Sequence, residues 1–215
     1  MLLEVRFSME AQELVTITVG GRKVKVPERT STAEIRTIAG LDRGHVLARS
    51  AGGMNKVVHG SLQVREGEAF VVGRSFTKGS MDDARLIVEL ERLSRFFDVE
   101  VDDSLNWVLI RNYGLPAGYN RRITDILFNT SGFPMIPPAS IFGVYMDMGL
   151  TYNDQRLPNY YEALTRRMFG RDWAWFCTGQ MTWDPQHDDL LTFLVTLDLM
   201  LTDPMDDSPG VDDHG

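Results

Sequence analysis

The sequence predicts an α+β protein made of two successive units, and three observations carry that prediction. Apolar and polar residues alternate with period two over residues 14–27, the pattern of half-buried strands. Leucines recur at helical spacing over 86–97 and again over 190–201, which sets a helix at each end of the second unit. Between the units lies the polar stretch TKGSMDD at 77–83, and the charge changes sign across it. Residues 1–80 carry 12 basic and 8 acidic side chains, whereas residues 81–203 carry 10 and 18. The boundaries that follow are a first unit at 12–76, a linker at 77–81, a second unit at 82–203 and an acidic tail at 204–215.

In the first unit Val15, Ile17 and Val19 share one strand face, Gly20-Gly21 supplies a two-residue turn, and Val24 and Val26 continue the pattern on a returning strand. Ser31 and Glu34 have capping-box spacing ahead of Ile35 and Ile38, and Gly40 stands where that helix would stop. Further short strands fit His45 to Ser50 and Ala69 to Phe76, with an exposed VREGE stretch between them, so the order is ββαββ.

The second unit opens with a helix whose first turn holds Asp82 and Asp83 and whose buried face is Leu86, Leu90, Leu93 and Phe97. Strands fit Trp107 to Tyr113 and Ile123 to Asn129, and the three prolines of FPMIPP at 133–138 forbid both helix and interior strand, leaving a rigid surface crossing. YYEALTRRMFG at 160–170 reads as helix-like. A last helix spans about 188–202 with Leu190, Leu191, Leu194, Leu197 and Leu201 on one broad face.

Composition removes several function classes. With 43% hydrophobic and 24% charged residues the chain reads as globular, and with no long apolar run or signal-peptide order it reads as cytoplasmic and off the membrane. The basic excess of the first unit forms no Lys/Arg run, so a nucleic-acid partner is not expected. PMDDSPGVDDHG at 204–215, with four Asp and almost no apolar content, reads as a solvated tail. Nothing calls for a cofactor or a metal.

The single cysteine, Cys177, lies in WAWFCTGQMTWDP. One cysteine makes no internal disulfide and no thiolate metal site, so it is either a small buried hydrophobe or a reactive thiol. No charge lies between Asp172 and Asp184, and His187 is ten residues on, so no local Cys-His pair is indicated. Trp173, Trp175 and Trp183 read as core or as groove walls. All four lysines, Lys23, Lys25, Lys56 and Lys78, precede residue 80, while the second unit has ten arginines and no lysine. That would protect an ester on the thiol from the chain's own amines, because arginine stays protonated. A coding bias toward arginine is the other explanation.

Two resemblances follow from these residues. The ββαββ order and LQVREGEAFVVG resemble the β-grasp fold of ubiquitin-like proteins, the bacterial multi-ubiquitin type in particular. In that family the modifier is conjugated through a free C-terminal Gly-Gly, whereas here GRSFTKGSMDD runs on. In the second unit the initial helix, the strand meander, FPMIPP, Cys177, Trp183 with Pro185 and the LLTFLVTLDLMLTDP ending resemble the ubiquitin-conjugating-enzyme (UBC) fold. LPAGY and TDILF point to its prokaryotic family E branch. The resemblance implies that Cys177 carries an activated modifier as a thioester and passes it to a target amine. It implies a ubiquitin-like modifier, an activating enzyme and a deconjugating metalloprotease as partners, often in antiphage operons. Eukaryotic members carry His-Pro-Asn shortly before the cysteine, and the echo here is Leu157-Pro158-Asn159, eighteen residues before Cys177. Asn159 is therefore the candidate for oxyanion or loop support, or else the N-cap of the following helix. Thr178 leaves an oxyester open, and a non-catalytic scaffold that binds a modifier or an activating enzyme is the alternative function.

Overall fold

In the computed structural model of the protein, residues 13–41, 45–51, 53–73, 81–138, 143–179 and 181–205 are described. The linker expected at 77–81, except Met81, and the tail beyond Met205 lie outside these residues, as do the side chains of Asp82 and Asp83.

The first hairpin and the capped helix form where the pattern places them, while the expected ββαββ order gains three short strands, one before the helix and two after it. Strands β1 (Leu14–Val19) and β2 (Arg22–Pro27) pair from Val19↔Arg22 to Leu14↔Pro27 around Gly20 and Gly21, which hold φ of 54° and 81°. Such values suit glycine, and they match the twist a two-residue hairpin needs. After β3 (Arg29–Ser31) comes helix α1 (Thr32–Ala39), whose capping box joins Ser31 and Glu34 in both directions and which stops at Gly40 in the left-handed region. Strands β4 (Leu47–Arg49), β5 (Asn55–Val57), β6 (Ser61–Gln63) and β7 (Ala69–Val72) complete the unit. β1 and β7 run parallel, and the local order is β2-β1-β7-β4-β5. Ile35 of α1 packs on Ile17, Val19, Val26, Leu47 and Phe70. Val64, in the stretch expected to be exposed, is fully buried in the same core.

The second unit begins with α2 (Met81–Leu93), followed by the antiparallel meander β8 (Asp98–Val101), β9 (Trp107–Gly114), β10 (Ile123–Asn129) and β11 (Gly143–Met146). A small hairpin, β12 (Thr151–Tyr152) and β13 (Gln155–Arg156), turns through Asn153 and Asp154 at φ of 47° and 61°. Then come β14 (Tyr160–Met168), β15 (Arg171–Cys177) and α3 (Leu190–Thr202). α2 and α3 cover one face of the sheet. Leu190, Phe193, Leu194, Leu197 and Leu201 of α3 meet Leu86, Ile87, Leu90 and Leu93 of α2 over strand residues such as Val108, Ile110, Phe128 and Phe176. Each such buried side chain contributes about 1.5–3 kcal/mol. No helix among the described residues is long and apolar enough to cross a membrane.

Two differences from the sequence reading matter. Residues 160–168 are a strand, not a helix. Phe169 and Gly170, at φ of 52° and 82°, turn β14 back onto β15 with Met168 opposite Arg171. The residues are adequate helix formers, but β15 offers a free hydrogen-bonding edge and β14 satisfies it, so tertiary pairing overrides propensity. Secondly, the two units share one eleven-stranded sheet, because β5 pairs with β8 (Asn55↔Val101, Lys56↔Glu100). The seam is also packed. Val46, Ala48 and Val57 enter the α2/α3 core, Asn55 Nδ2 donates to Asp103 at 2.9 Å, and Arg36 of α1 pairs with Glu91 of α2.

Candidate active site

Cys177 is the last residue of β15, and its neighbours follow from strand pairing. On one side Gly143 of β11 stands directly opposite. On the other, the Cys177 backbone N–H donates to the Asn159 carbonyl at 2.7 Å, just before β14 begins. Eighteen residues of sequence thus fold into one cross-strand contact, because the intervening segment is a hairpin. Asn159 caps no helix, which corrects that reading.

Side chains alternate along β15. Ala174 and Phe176 enter the core under the helices, while Trp173 and Trp175 lie on the opposite, helix-free face with Leu109, Leu127 and Tyr145. By the same alternation Cys177 projects on the helix-free face and Thr178 does not. Cys177 is half-buried, whereas Thr178 is 2% exposed, so the thiol is the group of this pair that a solvent-borne acyl donor can reach. This removes the ground for an oxyester on Thr178. The indole of Trp175 lies across the space above Gly143: a Cβ there would stand 2.1 Å from Nε1 and 2.4 Å from Cε2. Glycine at 143 leaves room for the indole there, and for the Phe176 carbonyl oxygen, which a Cβ would meet at 2.6 Å. Tyr161 flanks it, with ring centroids 5.5 Å apart.

Two anchors fix β15 and the chain that follows. At its start Arg171 binds Asp125 and Asp147, each at 2.9 Å, and lies 3.6 Å from the Trp173 ring centroid; Arg111 also binds Asp125. These paired charges sit at the end of the strand remote from the thiol. Beyond Cys177, Trp183 Nε1 donates to the Pro134 carbonyl at 2.7 Å, and its ring meets Phe133 at 6.1 Å. The proline crossing and Trp183, far apart in sequence, are therefore one structure, and the Phe133-Pro134 bond is cis. Met135 and Ile136 at its apex are exposed.

Arg85, which sequence reasoning passed over, ties these parts together. Its guanidinium donates to the carbonyls of Pro185 and Asp188, pairs with Glu89 at 2.8 Å and lies over the Phe133 ring. Glu89 in turn accepts from the Leu190 N–H at 2.7 Å, and burial pushes its carboxyl above the ordinary value. Asp189 caps α3 through Thr192 N–H and pairs with Arg92. An arginine of α2 at this position had no local signal; only the fold reveals its carbonyl partners.

No group suited to hydrolysing an ester is assembled here from the sequence candidates. His187 is exposed and its Nδ1 is 2.8 Å from Asp184. Burial pushes the Tyr160 phenol up to about 12, so it is no base at neutral pH. Among the described residues no cluster of three or more His, Cys, Asp or Glu could hold a metal.

Compared with known proteins, the chain matches the family model of prokaryotic E2 family E at residues 85–203. No curated protein and no solved structure matches it. The matched span holds α2, the meander, the proline crossing, Cys177 and α3, and it is more than half of the 215 residues. A helix-backed meander ending in a partly buried thiol, matched over that span, makes this chain a member of prokaryotic E2 family E.

Proposed function

We propose that the protein carries an activated ubiquitin-like modifier as a thioester on Cys177 and transfers it to a target amine. The observation that supports this most is the placement of Cys177: only partly buried, at a strand end on the helix-free face, within the span that matches the E2 family. An acyl carrier needs an accessible thiol and no base poised to hydrolyse the ester. A purely structural cysteine would be packed, so this exposure favours the carrier over the scaffold. Asn159 acts here as a positioning residue through its carbonyl on the Cys177 N–H. The partners of this reaction are a modifier and its activating enzyme, and a deconjugating metalloprotease would reverse the product.

In the same proposal residues 12–76 are a ubiquitin-like β-grasp unit, 77–81 the linker, 82–203 the conjugating unit and 204–215 the tail. The parallel β1/β7 pair between antiparallel neighbours and the single capped helix support the β-grasp reading. Since the chain continues past that unit into α2, its uncleaved form presents no terminal carboxylate and serves as a fixed part of the carrier, not as cargo.

A synthetic peptide thioester ending in Gly-Gly tests the reaction without any other protein. Mass spectrometry should find one acyl group on Cys177, released by thiols and absent in Cys177→Ala. The acyl group should pass to free lysine faster than it does from the matching N-acetylcysteine thioester. Failure to load, or discharge no faster than from N-acetylcysteine, would reject the carrier.

A further inference from the structure

We infer that the indole N–H of Trp175 is the hydrogen-bond donor to the thioester carbonyl at Cys177, and that Gly143 is glycine in order to admit it. This rests on the carrier function proposed above.

The geometry comes from three facts. Trp175 and Cys177 are two residues apart on one strand and so share a face. Gly143 is the residue directly opposite Cys177. The Nε1 atom of Trp175 occupies the space of the missing Gly143 side chain, 2.1 Å from where its Cβ would be. Directly paired residues in an antiparallel sheet have Cα atoms about 4.5–5.5 Å apart, so the indole N–H lies on the same face and beside the thiol. The other indoles beside this strand have partners: Trp173 Nε1 donates to the Met168 carbonyl and Trp183 Nε1 to the Pro134 carbonyl. Trp175 is partly buried and lies on the helix-free face, the side from which an acyl group must arrive.

The chemistry needs such a donor. The amine nitrogen attacks the thioester carbon, and the C=O π pair moves onto oxygen to give an oxyanion. The C=O bond then re-forms, the C–S bond breaks, the sulfur leaves as thiolate, and the proton shed by the attacking nitrogen passes through solvent to that sulfur. A donor aimed at the oxygen strengthens as charge develops there, which is how it lowers the barrier. In eukaryotic conjugating enzymes, which this unit resembles, the asparagine of His-Pro-Asn is the residue expected to support the oxyanion or the local loop. Here Asn159 meets Cys177 through its backbone carbonyl, which accepts and cannot donate. An indole N–H donates and never titrates, so the donor is present at every working pH.

The test uses the full chain loaded on Cys177 with the Gly-Gly peptide thioester. First, ¹⁵N spectra resolve the four indole N–H groups, and Trp175→Phe assigns one. On loading, the Trp175 signal should move downfield while those of Trp107, Trp173 and Trp183 hold. A stationary Trp175 signal overturns the inference. Secondly, single-turnover discharge to free lysine is followed for wild type, Trp175→Phe and Gly143→Ala. Trp175→Phe keeps a ring and loses the N–H; Gly143→Ala keeps the N–H and displaces it, while also pressing on the Phe176 carbonyl oxygen, which the added Cβ would meet at 2.6 Å. Both should reach the same final extent of loading, more slowly because loading passes through the same oxyanion, and discharge more slowly, on the order of 100-fold. Variants that load and discharge at the wild-type rate refute Trp175 as donor while leaving the carrier standing. A wild type that never loads refutes both. The indole shift is read on the wild-type fold, so an unstable variant does not shield the inference.

Discussion

The two faces of the second unit's sheet are built from different chemistry. Under α2 and α3 the contacts are mostly aliphatic, and fully buried residues such as Leu90, Leu93 and Leu197 leave no polar atom needing a partner. The helix-free face is aromatic, with Trp107, Tyr145, Trp173 and Trp175 around Leu109 and Leu127, and it is roofed in part by Met168 and Phe169 at the tip of the β14/β15 hairpin. Aromatic side chains bury area while keeping a polar handle. One face therefore supplies stability, and the other combines packing with the indole of Trp175 beside the residue opposite Cys177.

That contrast can be broken by substitution. The largest effect should come from Phe128→Ala, which empties a fully buried site against Phe193 and should cost about 3–5 kcal/mol in urea unfolding. A cost near zero would mean that the helix-covered face is not the stabilising one. Arg85→Ala should cost about 2 kcal/mol, because it leaves Glu89 buried without its cation and frees the Pro185 and Asp188 carbonyls. This deficit should depend on pH. The Glu89 carboxyl is held above its ordinary value by burial, so its contribution to stability is complete below the unfolded value and lost as pH rises through the folded one. Without Arg85 that loss deepens. The melting-temperature gap between the variant and wild type should be wide where Glu89 is ionised in the folded protein and should narrow as pH falls toward the ordinary glutamate value. A gap that does not change with pH would detach Glu89 from the effect.

Asp189→Ala removes the α3 cap and should cost about 1 kcal/mol by thermal unfolding. The smallest effect is expected on the aromatic face itself: Cys177→Ser should shift stability by less than about 1 kcal/mol, since the thiol is only partly buried. The native thiol should also react with iodoacetamide within minutes near neutral pH. Slow labelling with a clear stability loss would place Cys177 on the same footing as Phe128 and erase the distinction between the faces.

How much of this was legible beforehand depended on the range of the signal. The Ser31/Glu34 cap, the Gly20-Gly21 hairpin and the leucine face of α3 are local patterns, and each formed as read. β14 was misread because Tyr160–Met168 suits either helix or strand, and the free edge that decides between them belongs to β15. The same error hid the Asn159 contact. Arg85 and Gly143 carried no signal at all: one answers to carbonyls a hundred residues away, the other to an indole on the next strand. The β5/β8 seam was invisible for a related reason, since a charge change and a polar stretch mark a boundary in sequence without saying whether strands pair across it.

That seam fixes a distance. From β15 to β5, which carries Lys56, there are five strand spacings, about 24 Å, and β2, which carries Lys23 and Lys25, lies nine spacings away. A lysine side chain reaches only a small fraction of that span, and a shared hydrogen-bonded sheet does not let the first unit swing round. Acyl transfer from Cys177 to these three amines must then happen between molecules. Its rate would rise with the square of protein concentration and vanish on dilution, so any product formed on them reports encounters of two chains and not a property of one.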